Sequence, residues 1–426
     1  MDSVQLTLFS ALRSGESELQ GCKLTAMGPT EQAAVVPSLI PPAGEHHIQW
    51  QLTEEQRETY RERSRRSREA KAAALRGDGP PPIHEINVPT LDPHALMRQL
   101  PRNGLRALSL FSGGGGLDLG FARAGFEHVA SYELLEDAAA TLKKACPDWE
   151  VFGGPEGDVR AVSWRRWRGK VDIVHGGPPC QPFSSAGRQR GIADPRDMFP
   201  EFVRAVRALS PEAFVAENVP ALMTPKFSDY VESVILRPLR SRYQICRLDL
   251  RAESFGVPQV RRRVVFVGFK SKRAASAFAA PVPTHAWQAD QADLGLDGQQ
   301  RCMGVREALG LPPIGFDALA PTIRSALTGP RHTTSVLSSS AARRVFERLQ
   351  IWPNGVATTR EDAQAFVAAN GHFRLSLPDV ALVQGFPETW PFVGANYMVL
   401  GQIGNAVPPP LGYAVAAAVA RAVDVS

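Results

Sequence analysis

Cysteine is scarce in this chain. The five, at positions 22, 146, 180, 246 and 302, are widely spaced and form no C-x-x-C. That pattern argues against a disulfide framework and against a zinc site, so no metal is expected and a reducing cytoplasm is the natural setting. No apolar run reaches the length of about 18 residues that a membrane-spanning helix needs. The N-terminus lacks a charged start, apolar core and small-residue cleavage site, which speaks against secretion. There is no G-x-x-x-x-G-K-[ST] phosphate loop and no internal repeat. Lysine is also sparse, with 8 of the 48 basic residues, so the net charge of +5 is carried by arginine. Arginine is the better bidentate partner for phosphate and guanine, and arginine-favouring codon usage explains the bias equally well. Hydrophobic residues make up 44% and charged residues 21%, which is ample for a core.

Residues 1–100 read as an extension. Positions 29–50 and 77–93 are rich in Pro and Gly, and between them Thr53–Arg76 is dense in Glu and Arg at helical spacing. Interleaved acids favour a solvated helix over a phosphate-binding arm. From Leu105 the pattern changes. Short apolar runs at Ala107–Phe111, Val129–Tyr132, Val171–His175, Ala213–Glu217 and Val264–Phe269 alternate with helix-like segments. This predicts an α/β fold with a doubly wound, mostly parallel sheet, whose ligands sit at the carboxyl ends of the strands. Residues 271–372 break the alternation and read as a smaller, irregular inserted domain. Residues 101–270 and 373–426 then form the main domain.

Phe111-Ser-Gly-Gly-Gly-Gly116 follows the first strand and precedes a helix-like stretch. Glycines here allow a tight turn and close approach of a ligand to the backbone. Glu133 ends the second strand about twenty residues on, where a carboxylate suits two ribose hydroxyls. Together they point to an adenosine-containing cofactor. The most informative stretch is Val171-Asp-Ile-Val-His-Gly-Gly-Pro-Pro-Cys-Gln-Pro-Phe-Ser184. A buried strand runs into two prolines that stiffen the backbone before Cys180, as a positioned nucleophile requires.

Gly-Pro-Pro-Cys-Gln-Pro-Phe-Ser resembles the catalytic loop of DNA (cytosine-5) methyltransferases of the bacterial type II modification kind. Other ordered motifs of that family follow over residues 104–426: Leu110–Gly116, Glu133, Gly157-Asp-Val159, Arg196-Asp-Met-Phe199, Glu217-Asn-Val219, Gln259-Val-Arg-Arg-Arg263, Arg374–Asp379 through Gln384-Gly-Phe-Pro387, and Gly401–Pro408. The resemblance implies a Rossmann-like methyltransferase sheet with residues 271–372 as target-recognition domain. It implies transfer of a methyl group from S-adenosyl-L-methionine to carbon 5 of a cytosine turned out of double-stranded DNA. In that reading Cys180 adds to carbon 6, Glu217 serves N3 as acid and reads the exocyclic amine, and Arg261 and Arg263 contact the base and steady the loop. Arg261 and Arg263 alternate along the approach to a strand and share a face. Phe111, Gly113, Gly115 and Gly116 border the cofactor, Glu133 holds its ribose, Asp158 its adenine amine, Met198 lines its pocket, and Asn405 and Val407 close it.

Two departures stand out: Ser109 and Asp197 occupy positions where many members carry Asp and Gly or Asn, respectively. Ser185–Gly191 reads as a basic cover loop. Specificity is expected to reside in 271–372, which carries Arg301, Arg306, Arg324, Arg331, Arg343, Arg344 and Arg348 with Thr322-Ile323 and Thr328–Thr334. Each of these arginines taken singly reads as a phosphate contact or solvated group rather than a base reader. A monomer in the cytoplasm is expected, with no membrane partner and with a cognate restriction endonuclease acting on the same site without a stable complex. Three alternatives remain at this point. An RNA cytosine-5 methyltransferase shares the Pro-Pro-Cys-Gln loop, but the Cys-Phe-Thr signature of that branch is absent. A non-catalytic DNA-binding regulator would be expected to lose Cys180 or Glu217. A nicotinamide dehydrogenase fits the glycine loop alone.

Overall fold

The computed structural model describes residues 83–180, 183, 196–287, 298–325, 334–365 and 371–424, with scattered positions between 54 and 73. A seven-stranded sheet forms the centre, in the order β3-β2-β1-β4-β5-β7-β6. Its strands are β1 (Arg106–Leu110), β2 (Glu127–Glu133), β3 (Val151–Gly153), β4 (Ile173–Gly176), β5 (Ala213–Asn218), β6 (Gln244–Arg251) and β7 (Arg262–Phe269). Strands β1 to β5 pair in parallel, and β7 runs antiparallel to both β5 and β6. The strand order reverses between β1 and β4. That is where a doubly wound sheet opens a crevice for ligands.

The expected doubly wound architecture is present. Strands β3 and β6 were not legible as apolar runs: β3 has three residues, and β6 is an edge strand with alternating charges at Arg247, Asp249 and Arg251. Central strands are buried on both faces. Leu108 and Leu110 pack with α3 (Phe199–Leu209) on one side, and Ala107 packs with α7 (Pro409–Asp424) on the other. In α3 the residues Phe199, Phe202, Val203, Val206 and Leu209 fall on one helical face and are all buried. Helix α1 (Gly116–Arg123) lies directly on α7 because residue 120 is glycine; a Cβ there would stand 2.5 Å from the Tyr413 backbone nitrogen. Helix α2 (Glu136–Ala145) follows β2.

A second core gathers Val305, Leu309, Ile323, Val336 and Ile351 with buried residues of α5 (Leu377–Val383) and α6 (Asn396–Asn405). Helix α4 (Ser340–Arg348) contributes Phe346. Strand Ile351–Ala357 pairs with Phe373–Ser376, so one ladder spans the expected boundary at 372/373. The helix Lys272–Ala277 contributes Ala274 to the core that α7 and the sheet share. Among the described residues one stretch is long and apolar enough to cross a membrane, Asn396–Asp424. Its most apolar window is 78% buried inside the protein, as befits core helices.

The described positions between 54 and 73 are helical, and Arg65 pairs with Glu62 and Glu69 at i,i+3 and i,i+4. This matches a solvated helix. Residues 87–97 depart from the linker reading. The Asn87 amide donates to the Leu309 carbonyl at 2.9 Å and to Asp379 Oδ1 at 3.0 Å. Leu91 and Met97 are buried in the second core. The Thr90 and Leu91 amides also donate to the Ala308 carbonyl at 3.1 and 3.2 Å. Two apolar anchors among polar and backbone ties are too few to give a periodic signal. Met97 is fully buried, so Met97→Ala is expected to lower the unfolding free energy by about 2–5 kcal/mol. Urea titration measures this; an unchanged midpoint would contradict the strap's place in the core.

Candidate active site

The carboxyl ends of β1, β2, β4 and β5 open into one cavity of about 450 Å³. Phe111, Gly113, Glu133 and Asp158 line one end, and Cys180, Glu217 and Arg263 the other. Gly116, Met198, Asn405 and Val407 also line it. At the first end the backbone turns sharply. Phe111 adopts φ 56°, a conformation that costs a non-glycine residue energy and that clusters at functional sites. Gly113 follows at φ 55°, and a Cβ there would meet nothing within 4 Å, so its backbone is open to the cavity. The Gly113 amide donates to Glu133 Oε2 at 2.7 Å and the Leu135 amide to Oε1 at 2.8 Å. Burial pushes the Glu133 carboxyl up, and these amides oppose the shift. Each oxygen keeps further lone pairs for a ligand.

Two glycines of the loop serve packing. Gly115, at φ 84°, does not line the cavity; a Cβ there would come within 2.6 Å of Leu142. Gly116 lets the C-terminal segment close in, since a Cβ would stand 2.2 Å from the Val407 carbonyl oxygen. Asp158 is bound by Arg160 through its amide at 3.0 Å and its guanidinium at 2.6 Å, which holds its carboxyl below the usual range. Leu134, 53% exposed beside Glu133, lines the same end. An exposed Leu on a cavity wall was the missed signal there.

At the second end, Asn218 Nδ2 donates to the Pro178 carbonyl at 3.0 Å and so fixes the loop that carries Cys180. Glu217 Oε1 lies 2.6 Å from Arg263 Nε, with both side chains about one-tenth exposed. A Cβ on Gly177 would stand 2.9 Å from Glu217 Oε2, so only glycine leaves the carboxylate its place. Burial pushes the Glu217 carboxyl up, and the Arg263 and Arg261 cations pull it down. Burial likewise pushes the Cys180 thiol up; Arg263 lowers it, Glu217 raises it and Arg261 lowers it.

Arg261 does not line the cavity. It is fully buried behind it and donates to the Gly404 and Ala406 carbonyls, both at 2.8 Å. Gln259 donates to Gln384 Oε1 at 2.8 Å, and Gln384 to the Ala406 carbonyl at 2.7 Å. Arg262, on the opposite face, pairs with Asp249. Asp197, just ahead of α3, accepts from the Phe199 amide at 3.1 Å and from the Tyr230 hydroxyl at 2.6 Å, which accounts for a carboxylate at that position. Among the arginines of 271–372 singled out from sequence, Arg306 is buried and donates to the Leu349 and Pro312 carbonyls, a structural anchor. Arg348 lies over the Phe316 ring at 4.0 Å. Ser185–Gly191, Thr328–Thr333 and Arg331 lie outside the described residues. Among the described residues no cluster of metal-ligating side chains occurs.

Residues 105–307 and 322–421, more than half of the chain, match the family described as C-5 cytosine-specific DNA methylase. The chain belongs to that family. This DNA (cytosine-5) methyltransferase is 33% identical over 319 residues to the type II methyltransferase M.NgoMIV of Neisseria gonorrhoeae, covering 74% of this chain and 97% of the relative. It is 31% identical over 336 residues to M.FnuDI of Fusobacterium nucleatum, covering 73% and 93%. A prophage-encoded DNA modification methyltransferase structure from E. coli is similar over 74% of this chain and 98% of that one, at 23% identity and a TM-score of 0.48.

A thiol raised by burial is neutral near pH 7, and its thiolate fraction grows with pH. The rate at which iodoacetamide alkylates Cys180 in the methyltransferase is therefore expected to keep climbing past pH 9, and to fall at any fixed pH in Arg263→Gln. Peptide mass spectrometry at Cys180 reads this; a plateau below pH 8 would contradict the electrostatics.

Proposed function

We propose that the enzyme transfers a methyl group from S-adenosyl-L-methionine to carbon 5 of a flipped-out cytosine in a short duplex DNA sequence, through covalent addition of Cys180 at carbon 6. The observation that carries this reading is the convergence of Cys180, Glu217 and Arg263 at one end of a cavity whose other end is the Glu133–Gly113 cradle. A buried carboxylate with free lone pairs and an open glycine backbone fit a ribose and its neighbouring groups. Glu133 would hold the ribose hydroxyls, Asp158 and Leu134 would flank the adenine, and Asn405 and Val407 would close the pocket. When bound, the cofactor supplies a methyl group on a positively charged sulfur.

Carbon 5 of cytosine is a poor nucleophile. Cys180 loses its thiol proton to solvent and, as thiolate, forms a bond to carbon 6, and the ring electrons move toward carbon 5 and N3. Burial favours the protonated form of Glu217, which delivers its proton to N3 as that charge develops. Arg263 then stabilises the carboxylate that remains. Arg261 acts as a positioning residue, because its guanidinium ties the 404–406 backbone rather than facing the cavity. After carbon 5 gains its methyl group, its proton passes to solvent, N3 returns its proton to the Glu217 carboxylate, and the bond to sulfur breaks so that Cys180 departs as thiolate. A base inside a duplex cannot reach Cys180, so the nucleotide must leave the stack.

Residues 271–372 are the proposed target reader, with the exposed arginines rather than Arg306 facing DNA. The protein is proposed to act as a cytoplasmic monomer, alongside a restriction endonuclease of the same specificity. Bisulfite sequencing of a methylation-free bacterial host that expresses the chain tests the reading. Protected cytosines are expected within one short sequence and absent with Cys180→Ala; protection that survives Cys180→Ala, or none with soluble wild-type protein, would overturn it.

A further inference from the structure

One buried acid in the cavity wall has no role in the chemistry above. Asp118, in the first turn of α1, is 1% exposed and lines the cavity together with Ser109 and Gly113. Its Oδ1 accepts from the Ser131 hydroxyl at 3.0 Å. Its Oδ2 is buried and accepts no hydrogen bond of good geometry among the described residues. The nearby Ser109 hydroxyl, which also pairs with Ser112 at 2.8 Å, and Ser131 are the protein groups that ease the carboxyl's burial. Ser109 pairs in register with Ser131 on one side and His175 on the other, so Asp118 sits over a polar row on the sheet. No cation among the described residues pairs with it. Its charged neighbour is another carboxylate, Glu133, and burial pushes the Asp118 carboxyl up to about 6. A buried carboxylate with one bare oxygen is costly unless something positive meets it. The Ser109 hydroxyl on β1 stands beside Asp118 and opposes that upward shift.

We propose that Asp118 is a cofactor-binding residue whose Oδ2 receives the ammonium group at the methionine end of S-adenosyl-L-methionine. Glu133 grips the ribose, and Asp118 grips the amino-acid end on the other side of the glycine loop. The assignment rests on the cofactor reading above. It commits the cavity to a ligand that carries a positive nitrogen as well as an adenosine.

Calorimetric binding separates the two readings. The ligands are S-adenosylhomocysteine and its desamino analogue, in which hydrogen replaces the ammonium. The wild-type protein is expected to bind the desamino analogue about 10- to 100-fold more weakly, the range for a hydrogen bond to a charged group. Asp118→Asn is expected to lose affinity for S-adenosylhomocysteine by a similar factor and to bind the two ligands alike. Equal wild-type affinity for both ligands overturns the assignment and leaves the cofactor reading standing. An Asp118→Asn variant that weakens both ligands equally also overturns it, since the residue then acts through structure. If that variant does not fold, the wild-type comparison decides alone. Failure of the wild-type protein to bind S-adenosylhomocysteine at all brings down the cofactor reading and the assignment together.

Discussion

The ion pair between Glu217 and Arg263 is the contact around which the site is built. A carboxyl group buried at a strand end cannot stay ionised alone, and a group that is permanently neutral cannot be restored after giving up its proton. A cation at 2.6 Å resolves this by tempering the upward push of burial without abolishing it. The pair exists because β7 runs antiparallel beside β5. Glu217 lies opposite Val265 in that ladder, so the first residues of β7 arrive at the carboxyl end of β5. A parallel strand in the same place would deliver its other end. The one reversal in an otherwise parallel arrangement is what puts Arg263 at the reacting edge.

A second layer of buried polar groups holds this edge to the rest of the chain. Arg261, Gln259 and Gln384 converge on the backbone of residues 404–406, which carries Asn405 to the cavity and presents Val407 to Gly116. Segments far apart in sequence thereby meet through side-chain to backbone bonds in a dry interior. Partial loss of such a network leaves unsatisfied groups and is costly. Asn218 plays the same part for the Pro-Pro-Cys loop. Glu133 and Glu217 line the cavity from strand ends, Cys180 from the loop beyond Gly176, and their supports stand one layer deeper.

Much of this was legible from sequence. Periodicity found the five apolar strands, and the Pro-Pro-Cys and glycine-loop motifs named about a third of the cavity wall. What escaped follows from physics that a linear pattern does not carry. Strand β6 is half exposed and charged, so no apolar run marks it. The strap at 87–97 is held by the buried Leu91 and Met97, the Asn87 amide and bonds from Thr90 and Leu91 to the 307–308 carbonyls, none of which makes a periodic pattern. Gly115 and Gly116 look alike in sequence; which glycine faces a ligand and which faces Leu142 or Val407 is decided by packing. Arg261 and Arg263 share a strand face, yet one is spent on backbone carbonyls and the other on Glu217. Arg306 resembles its neighbours in composition and is an interior anchor. Asp118 reads as an ordinary first-turn acid until the sheet beneath it is seen.

The central claim is that Cys180 forms a bond to carbon 6 of the target cytosine. A duplex carrying the target site with 5-fluorocytosine tests it most directly, because fluorine cannot leave carbon 5 as a proton does and the final elimination stalls. Incubation with S-adenosyl-L-methionine, followed by mass spectrometry of the intact protein and of its peptides, is expected to show a DNA adduct on the Cys180 peptide. The adduct should be absent in Cys180→Ala. Methylation of ordinary cytosine with no trapped adduct, or an adduct that forms without Cys180, would contradict the account.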